Sequence, residues 1–236
     1  MTYIFLAAGQ GLRLSPLTLQ RPKPLYKLDT NTTVLQRMIS LIREFDHQAE
    51  IVVVLGYMAG DIRSCLDNDV HCLINPFYKV TNSIASLWFA REYLARDHVT
   101  IINGDIVVEK ELARTILCKA TEKPLVLIDS SIRNNGDYNV QVKNEKILVM
   151  SKELNEYYGE YAGITQLDRG SARKLSQQIA QMVMGGFYDQ WYEDALVQMI
   201  FNEDFVLHYQ DISNYRWTEV DSVSDMMLAK TIHLDN

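Results

Sequence analysis

Unbroken apolar runs punctuate the first half of the chain, each closed by a glycine or a polar turn. Residues 3–8 end at Gly9 and 51–55 at Gly56, and a third strand-like stretch, 99–103, ends at Gly104-Asp105. Runs of five or six such residues without alternation are strands covered on both faces. Between the first two, Val34, Leu35, Met38, Ile39, Leu41, Ile42 and Phe45 recur at helical spacing, with Thr32 or Thr33 as N-cap. A short helix over 59–66, a strand near 70–74 and a helix over 83–94 continue the alternation. Pro16, Pro22 and Pro24 keep residues 9–32 from forming a helix, and loops of that length in compact domains are usually functional. Buried strands alternating with helices predict an α/β fold with a mainly parallel sheet, in which ligands bind at the carboxyl ends of the strands. Gly9, Gly56 and Asn103-Gly104-Asp105 fall at those ends.

After about residue 119 the rhythm changes. Short strands are expected at 125–128, 138–142 and 147–150, separated by polar turns such as Asn134-Asn135-Gly136. Helices over 171–184 and 191–201, strands at 205–209 and 217–220, and a helix from Ser222 follow. Nothing resembles a linker or an internal repeat, so residues 1–236 read as one domain with halves 1–118 and 119–236.

Composition narrows the class. A chain of 236 residues with 47% apolar and 22% charged side chains is not a disordered polyelectrolyte. Its net charge of −7 argues against coating nucleic acid or an anionic membrane. Cys65, Cys72 and Cys118 are too scattered for a disulfide framework or a zinc site and read as reduced thiols. No apolar stretch approaches the roughly 20 residues of a membrane span, and the N-terminal apolar run lacks a basic leader. A cytoplasmic protein with no membrane or nucleic-acid partner is expected. The average charge conceals one asymmetry: residues 1–28 hold Arg13, Arg21, Lys23 and Lys27 and no carboxylate, a local +4 on a body of −11.

Those cations sit in Leu6-Ala7-Ala8-Gly9-Gln10-Gly11-Leu12-Arg13 and Arg21-Pro22-Lys23-Pro24. Neither a dinucleotide fingerprint nor a Walker loop fits, because Leu14 replaces the third glycine and no Gly-Lys-Ser/Thr follows. A glycine turn after a buried strand lets backbone N–H groups approach phosphate oxygens, and Arg13 and Lys23 can offset a triphosphate's charge. On spacing alone, a plain turn with solvated basic residues serves equally well. Asp105 and Glu219-Val220-Asp221 follow strands, where carboxylates can hold a divalent cation on phosphates or simply cap the next helix.

The string L-A-A-G-x-G-x-R-L-x-P-L-T…R-P-K-P resembles the signature loop of the nucleotidyltransferases (pyrophosphorylases) that activate sugar phosphates and small phosphorylated alcohols. The resemblance implies a Rossmann-like three-layer α/β nucleotidyltransferase fold, with a mainly parallel mixed central sheet and a small inserted β/α subregion. It implies nucleotide contacts from Leu6, Ala7, Ala8, Gly9, Gly11 and Gly104, with Arg13 and Lys23 on the β- and γ-phosphates. It also implies Mg²⁺ on Asp105 and Asp221, supported by Glu219. Residues 1–118 would then bind the nucleotide, and 119–236 the acceptor.

Asn75-Pro76-x-Tyr78-x-x-Thr81-Asn82-x-x-x-Ser86-Leu87-Trp88 and Glu219-Val220-Asp221-Ser222-Val223-x-Asp225 resemble the small cytidylyltransferases acting on phosphocholine, aminoethylphosphonate and related compounds. This implies CTP as donor, with Asn82 and Ser86 near the cytosine and Lys152 near the reacting phosphate. Asn82 serves equally as a helix cap, and Lys152 as a surface lysine. For the acceptor, aromatic residues interspersed with carboxylates suit a quaternary ammonium or a primary amine, and Glu160, Tyr161, Trp191 and Glu193 are the candidates. The alternative for each aromatic is the core. The expected reaction transfers CMP to a small zwitterionic phosphate or phosphonate. A sugar-1-phosphate nucleotidyltransferase and a non-catalytic nucleotide-sensing module are the rivals, and a homodimer is left open.

Overall fold

The structure, a computed structural model, describes residues 1–132, 138–202 and 205–235; the predicted turn at Asn134-Asn135-Gly136 lies outside them. Its first half follows the expected alternation. β1 (Thr2–Ala7) is followed by α1 (Val34–Phe45), β2 (Glu50–Leu55), α2 (Ala59–Ser64), β3 (His71–Ile74), α3 (Ser83–Phe89) and β4 (His98–Asn103). Thr33 rather than Thr32 caps α1, in a capping box with Gln36. The predicted helix over 83–94 stops at Phe89, and Tyr93–Ala95 form a separate 3₁₀ turn.

The chain continues through β5 (Ile106–Val108), α4 (Lys110–Leu112) with a π turn at Ala113–Leu117, β6 (Leu125–Asp129), β7 (Asn139–Lys143), β8 (Lys146–Ser151) and β9 (Gly159–Asp168). Next come α5 (Arg169–Met184), α6 (Tyr192–Asn202), β10 (His208–Asp211), β11 (Trp217–Glu219) and α7 (Val223–Leu234). The described strands form a nine-stranded sheet, ordered β3-β2-β1-β4-β9-β6-β10-β8-β7, and a two-stranded ribbon β11-β5. Pairing is parallel from β3 to β4 and between β6 and β10, and antiparallel where β9 joins β4 and β6. The sheet is therefore mixed, with a parallel nucleus.

β1 is apolar from Tyr3 to Ala7 because β2 and β4 flank it and helices cover both of its faces. Ile4 packs with Val52, Val54 and Ile101 against α3, α5 and α6. Tyr3, Phe5 and Ala7 point the other way, against α1. Alternation along one strand thus produces the three layers. A third, smaller cluster joins Leu14, Tyr26, Leu28 and Val34 to Val107, Val220, Ala229 and Ile232. It fastens the glycine loop to β5 and α7. Among the described residues, no helix is long and apolar enough to cross a membrane.

Two departures have physical causes. β9, a central strand, was not expected, because Gly159, Gly163, Thr165 and Gln166 break any apolar run. Their polar groups are satisfied internally: Gln166 Nε2 donates to the Leu117 carbonyl at 3.0 Å, and Thr165 Oγ1 lies 3.0 Å from Tyr192 Oη. The strand expected at 205–209 begins only at His208, since Phe205 and Leu207 are buried as loop residues.

Candidate active site

The carboxyl ends of β1 and β4 meet where β1 turns into the glycine loop. Gly11 has φ +63°, and a Cβ there would lie 2.9 Å from Thr18 Cγ2 and 3.0 Å from Lys23 Cγ. Only glycine lets the loop turn left-handed while the stem of Lys23 crosses it. At Gly104 a Cβ would meet Ala7 Cβ and the Leu6 carbonyl, each at 2.9 Å, and its N–H donates to that same carbonyl at 3.0 Å. The backbone before Asp105 is thereby pressed against the end of β1.

The ribbon supplies the other carboxylate. Glu219 pairs with Ile106, and the Val220 N–H donates to the Asp105 carbonyl at 3.0 Å, so Asp221 emerges beside Asp105. Its alternative as a helix cap is not realised. Ser222 caps α7, in a box with Asp225.

Both cations of the loop reach these carboxylates. Lys23 Nζ donates to Asp105 Oδ2 at 2.9 Å and to Asp221 Oδ1, while Arg13 donates to Asp221 Oδ2 at 2.5 Å. Arg13 is half exposed; Lys23 is nearly buried. Burial alone would lower the Lys23 pKa, but Asp105 and Asp221 together outweigh it and hold the ammonium above its ordinary range. Burial, reinforced by the Asp105 charge, raises the Asp221 carboxyl against the pull of Lys23 and Arg13.

No group of three His, Cys, Asp or Glu side chains able to hold a metal occurs among the described residues. Two carboxylates that converge on a single cation nevertheless fit Mg²⁺, which takes one or two carboxylates and completes its shell with water and phosphate oxygens. The donor chemistry matches.

Leu6, Ala8, Gly9, Asp105 and Glu219 line a cleft together with Asn82, Ser86, Trp191 and Glu193. Ala7, Gly9, Gly11, Lys23, Gly104 and Asp105 line the adjoining hollow. The glycine loop, the carboxylates and two of the four acceptor candidates thus share one region. Asn82 does cap α3, its Oδ1 accepting from the Ser83 N–H at 2.8 Å, and it also faces the cleft. Ser86 Oγ accepts from Nδ2 of the fully buried Asn75 at 3.0 Å. Asn75 lines the cleft too; it opens the Asn75-Pro76 motif of the sequence, which gives it no role of its own.

The other acceptor candidates separate. Glu160 lines a neighbouring hollow with Arg13, Asp129, Trp217 and Asp221. Tyr161 is corrected to a core residue: it is 4% exposed, and its Oη lies 2.9 Å from Thr165 Oγ1 and bonds Tyr192. Adjacent strand residues face opposite sides, so Glu160 and Tyr161 cannot both reach one hollow. Lys152 is no lone surface lysine, since its Nζ stands 4.5 Å from the ring centre of Trp191.

Glu193 is buried, with the carboxylate held by its own backbone N–H and Oε2 without a hydrogen-bond partner. Burial pushes its pKa up to about 8, from an ordinary 4.5. Between those values the folded chain keeps a proton that the unfolded chain releases, so this group costs stability as pH rises. Glu193→Gln should therefore gain on the wild type between pH 5 and pH 8, by up to a few kcal/mol. Urea unfolding of both proteins at the two pH values measures the gap; a constant gap would show that Glu193 ionises normally.

Residues 2–142 match the family described as nucleotidyl transferase. The CMP-5'-(3-aminopropyl)phosphonate synthase of Streptomyces rubellomurinus is 27% identical over 96% of this chain, which spans 38% of that protein's length. The choline-phosphate cytidylyltransferase of Streptococcus pneumoniae is 25% identical, over 95% of each chain. The CTP:phosphoglutamine cytidylyltransferase of Campylobacter jejuni is 25% identical, over 96% of this chain and 98% of its own. In structure, the CTP:phosphocholine cytidylyltransferase of Streptococcus pneumoniae superposes with a TM-score of 0.81 over 98% of both chains at 20% identity, a likeness of fold.

Proposed function

The chain belongs to the nucleotidyl transferase family, and from that premise we propose that it transfers CMP from CTP to a small zwitterionic phosphate or phosphonate, releasing pyrophosphate. The observation that carries this reading is the convergence of Arg13 and Lys23 from the glycine loop on Asp105 and Asp221. That arrangement offers cations for a triphosphate beside carboxylates for a divalent ion. The cytidine preference draws support from relatives whose names specify CMP or cytidylyl transfer and which align along nearly the whole chain.

An oxygen of the acceptor phosphate or phosphonate attacks the α-phosphorus of CTP. A new P–O bond forms there as the bond to the β-phosphate breaks, and pyrophosphate departs with that electron pair. The attacking oxygen is already an anion near neutral pH, so no general base is needed. What the chain must supply is position and charge neutralisation. Lys23 and Arg13 would hold the departing β- and γ-phosphates, with Gly9 and Gly11 admitting the backbone close to them. Asn82 and Ser86 would face the cytosine, and Lys152 the phosphate under attack. Asp105 and Asp221 would hold Mg²⁺, with Glu219 in support; when bound, that ion neutralises charge on the triphosphate.

Pyrophosphate release should be measured across CTP, UTP, dTTP and ATP against phosphocholine, 2-aminoethylphosphonate, an amino-acid phosphate and hexose 1-phosphates. Turnover with CTP and a zwitterionic acceptor is expected. Turnover confined to a hexose 1-phosphate would replace this reading with sugar-nucleotide synthesis.

A further inference from the structure

The cleft contains a buried acceptor that none of the described residues satisfies. Glu193 is 4% exposed, lines the cleft, and leaves Oε2 without a partner. Stranding a buried polar oxygen costs about 1–3 kcal/mol, more for a charged group, so such an atom in a ligand cleft points to a donor on the ligand. Among the carboxylates that line the cleft, Asp105 is paired with Lys23, whereas Glu193 Oε2 has no donor among the described residues. The complementary group is therefore an N–H donor.

Two kinds of cation differ here. A quaternary ammonium has no N–H to donate and is held chiefly by open aromatic faces. The aromatic residues lining this cleft are Tyr78 and Trp191, and Lys152 already lies 4.5 Å over the Trp191 ring. A primary ammonium carries three N–H donors and can satisfy Oε2 directly. A neutral exocyclic amine of a base could also donate to Oε2, but in the proposed reaction the base faces Asn82 and Ser86.

We propose that Glu193 selects an acceptor whose cationic end is a primary ammonium, donated to Oε2, over one ending in a quaternary ammonium. The proposal rests on the cytidylyltransferase reading for the other end of the acceptor, a phosphate or phosphonate. Glu193 acts as a specificity determinant and takes no part in bond making.

Direct binding of 2-aminoethylphosphonate and of its N,N,N-trimethyl analogue should be measured calorimetrically on the full chain, as wild type, Glu193→Gln and Glu193→Met. Circular dichroism checks that each variant is folded. The wild type should bind the primary amine at least about tenfold tighter, roughly 1.4 kcal/mol. Both variants should bring the two ligands to within about threefold of one another, as expected once a charge-assisted hydrogen bond is gone.

Equal or tighter binding of the trimethyl ligand by the wild type would overturn the proposal. So would discrimination that survives in both folded variants, no binding of either ligand, or variants that weaken CTP instead of the amine. If the Glu193-dependent preference appears but no zwitterionic acceptor is cytidylylated, the proposed reaction fails and the amine site stands.

Discussion

Asp105→Asn should lower Mg²⁺-dependent pyrophosphate release from CTP by about a hundredfold to a thousandfold, the range seen when a principal electrostatic group of an active site is removed. The substitution keeps shape and removes charge. Gly104, wedged against Leu6 and Ala7, continues to hold the backbone in place, so loss of activity would not reflect loss of fold. Lys23 would then retain a single anionic partner, Asp221. Initial rates across a Mg²⁺ series, with thermal unfolding of the same samples, separate the outcomes. A rate within a few-fold of wild type would remove Asp105 from the reaction.

Lys23→Met should have two large effects, because Lys23 is at once a proposed phosphate ligand and the countercharge between two carboxylates. Removing one partner of a buried ion pair typically costs about 3–5 kcal/mol, since the remaining charge stays desolvated. Here Asp105 and Asp221 would face each other unneutralised, and part of that cost would be relieved by protonating Asp221, whose pKa is already raised. Turnover should fall by about a hundredfold or more. Added Mg²⁺ should raise the melting temperature of the variant more than that of the wild type, by replacing the lost charge. A variant that melts like the wild type and gains nothing from Mg²⁺ would show that the two carboxylates do not share a cation.

How much of this was legible in the sequence depended on whether local chemistry or distant pairing decides each element. The parallel nucleus was readable, because strands covered on both faces must be apolar along most of their length, as β1 is from Tyr3 to Ala7 and β2 from Ile51 to Leu55. The glycine loop was readable for the opposite reason: Gly11, Pro16, Pro22 and Pro24 forbid the regular alternatives. β9 was not, since its glycines and its hydroxyl and amide side chains look solvent-facing until Tyr192 and Leu117 are placed beside them. Asp105 and Asp221 could each be read as a cap, and only the pairing of β5 with β11 settles that they adjoin. Tyr161 illustrates the converse error: an aromatic next to a carboxylate in sequence lies on the other face of its strand. Glu193 was readable as a carboxylate among aromatics, but its unsatisfied oxygen exists only in three dimensions.

The small apolar cluster joining Leu14 and Tyr26 to Val220 and Ile232 has a kinetic consequence. The salt bridge it supports, Arg13 to Asp221, closes a loop of 208 residues, and contacts of such separation are the last to repay their entropy. The parallel nucleus can gather from nearer neighbours, whereas the ion cluster must wait for the ribbon and its closing helix to dock. During refolding, catalytic competence should therefore return after most of the helical signal, so that the active site serves as the chain's own record of complete assembly.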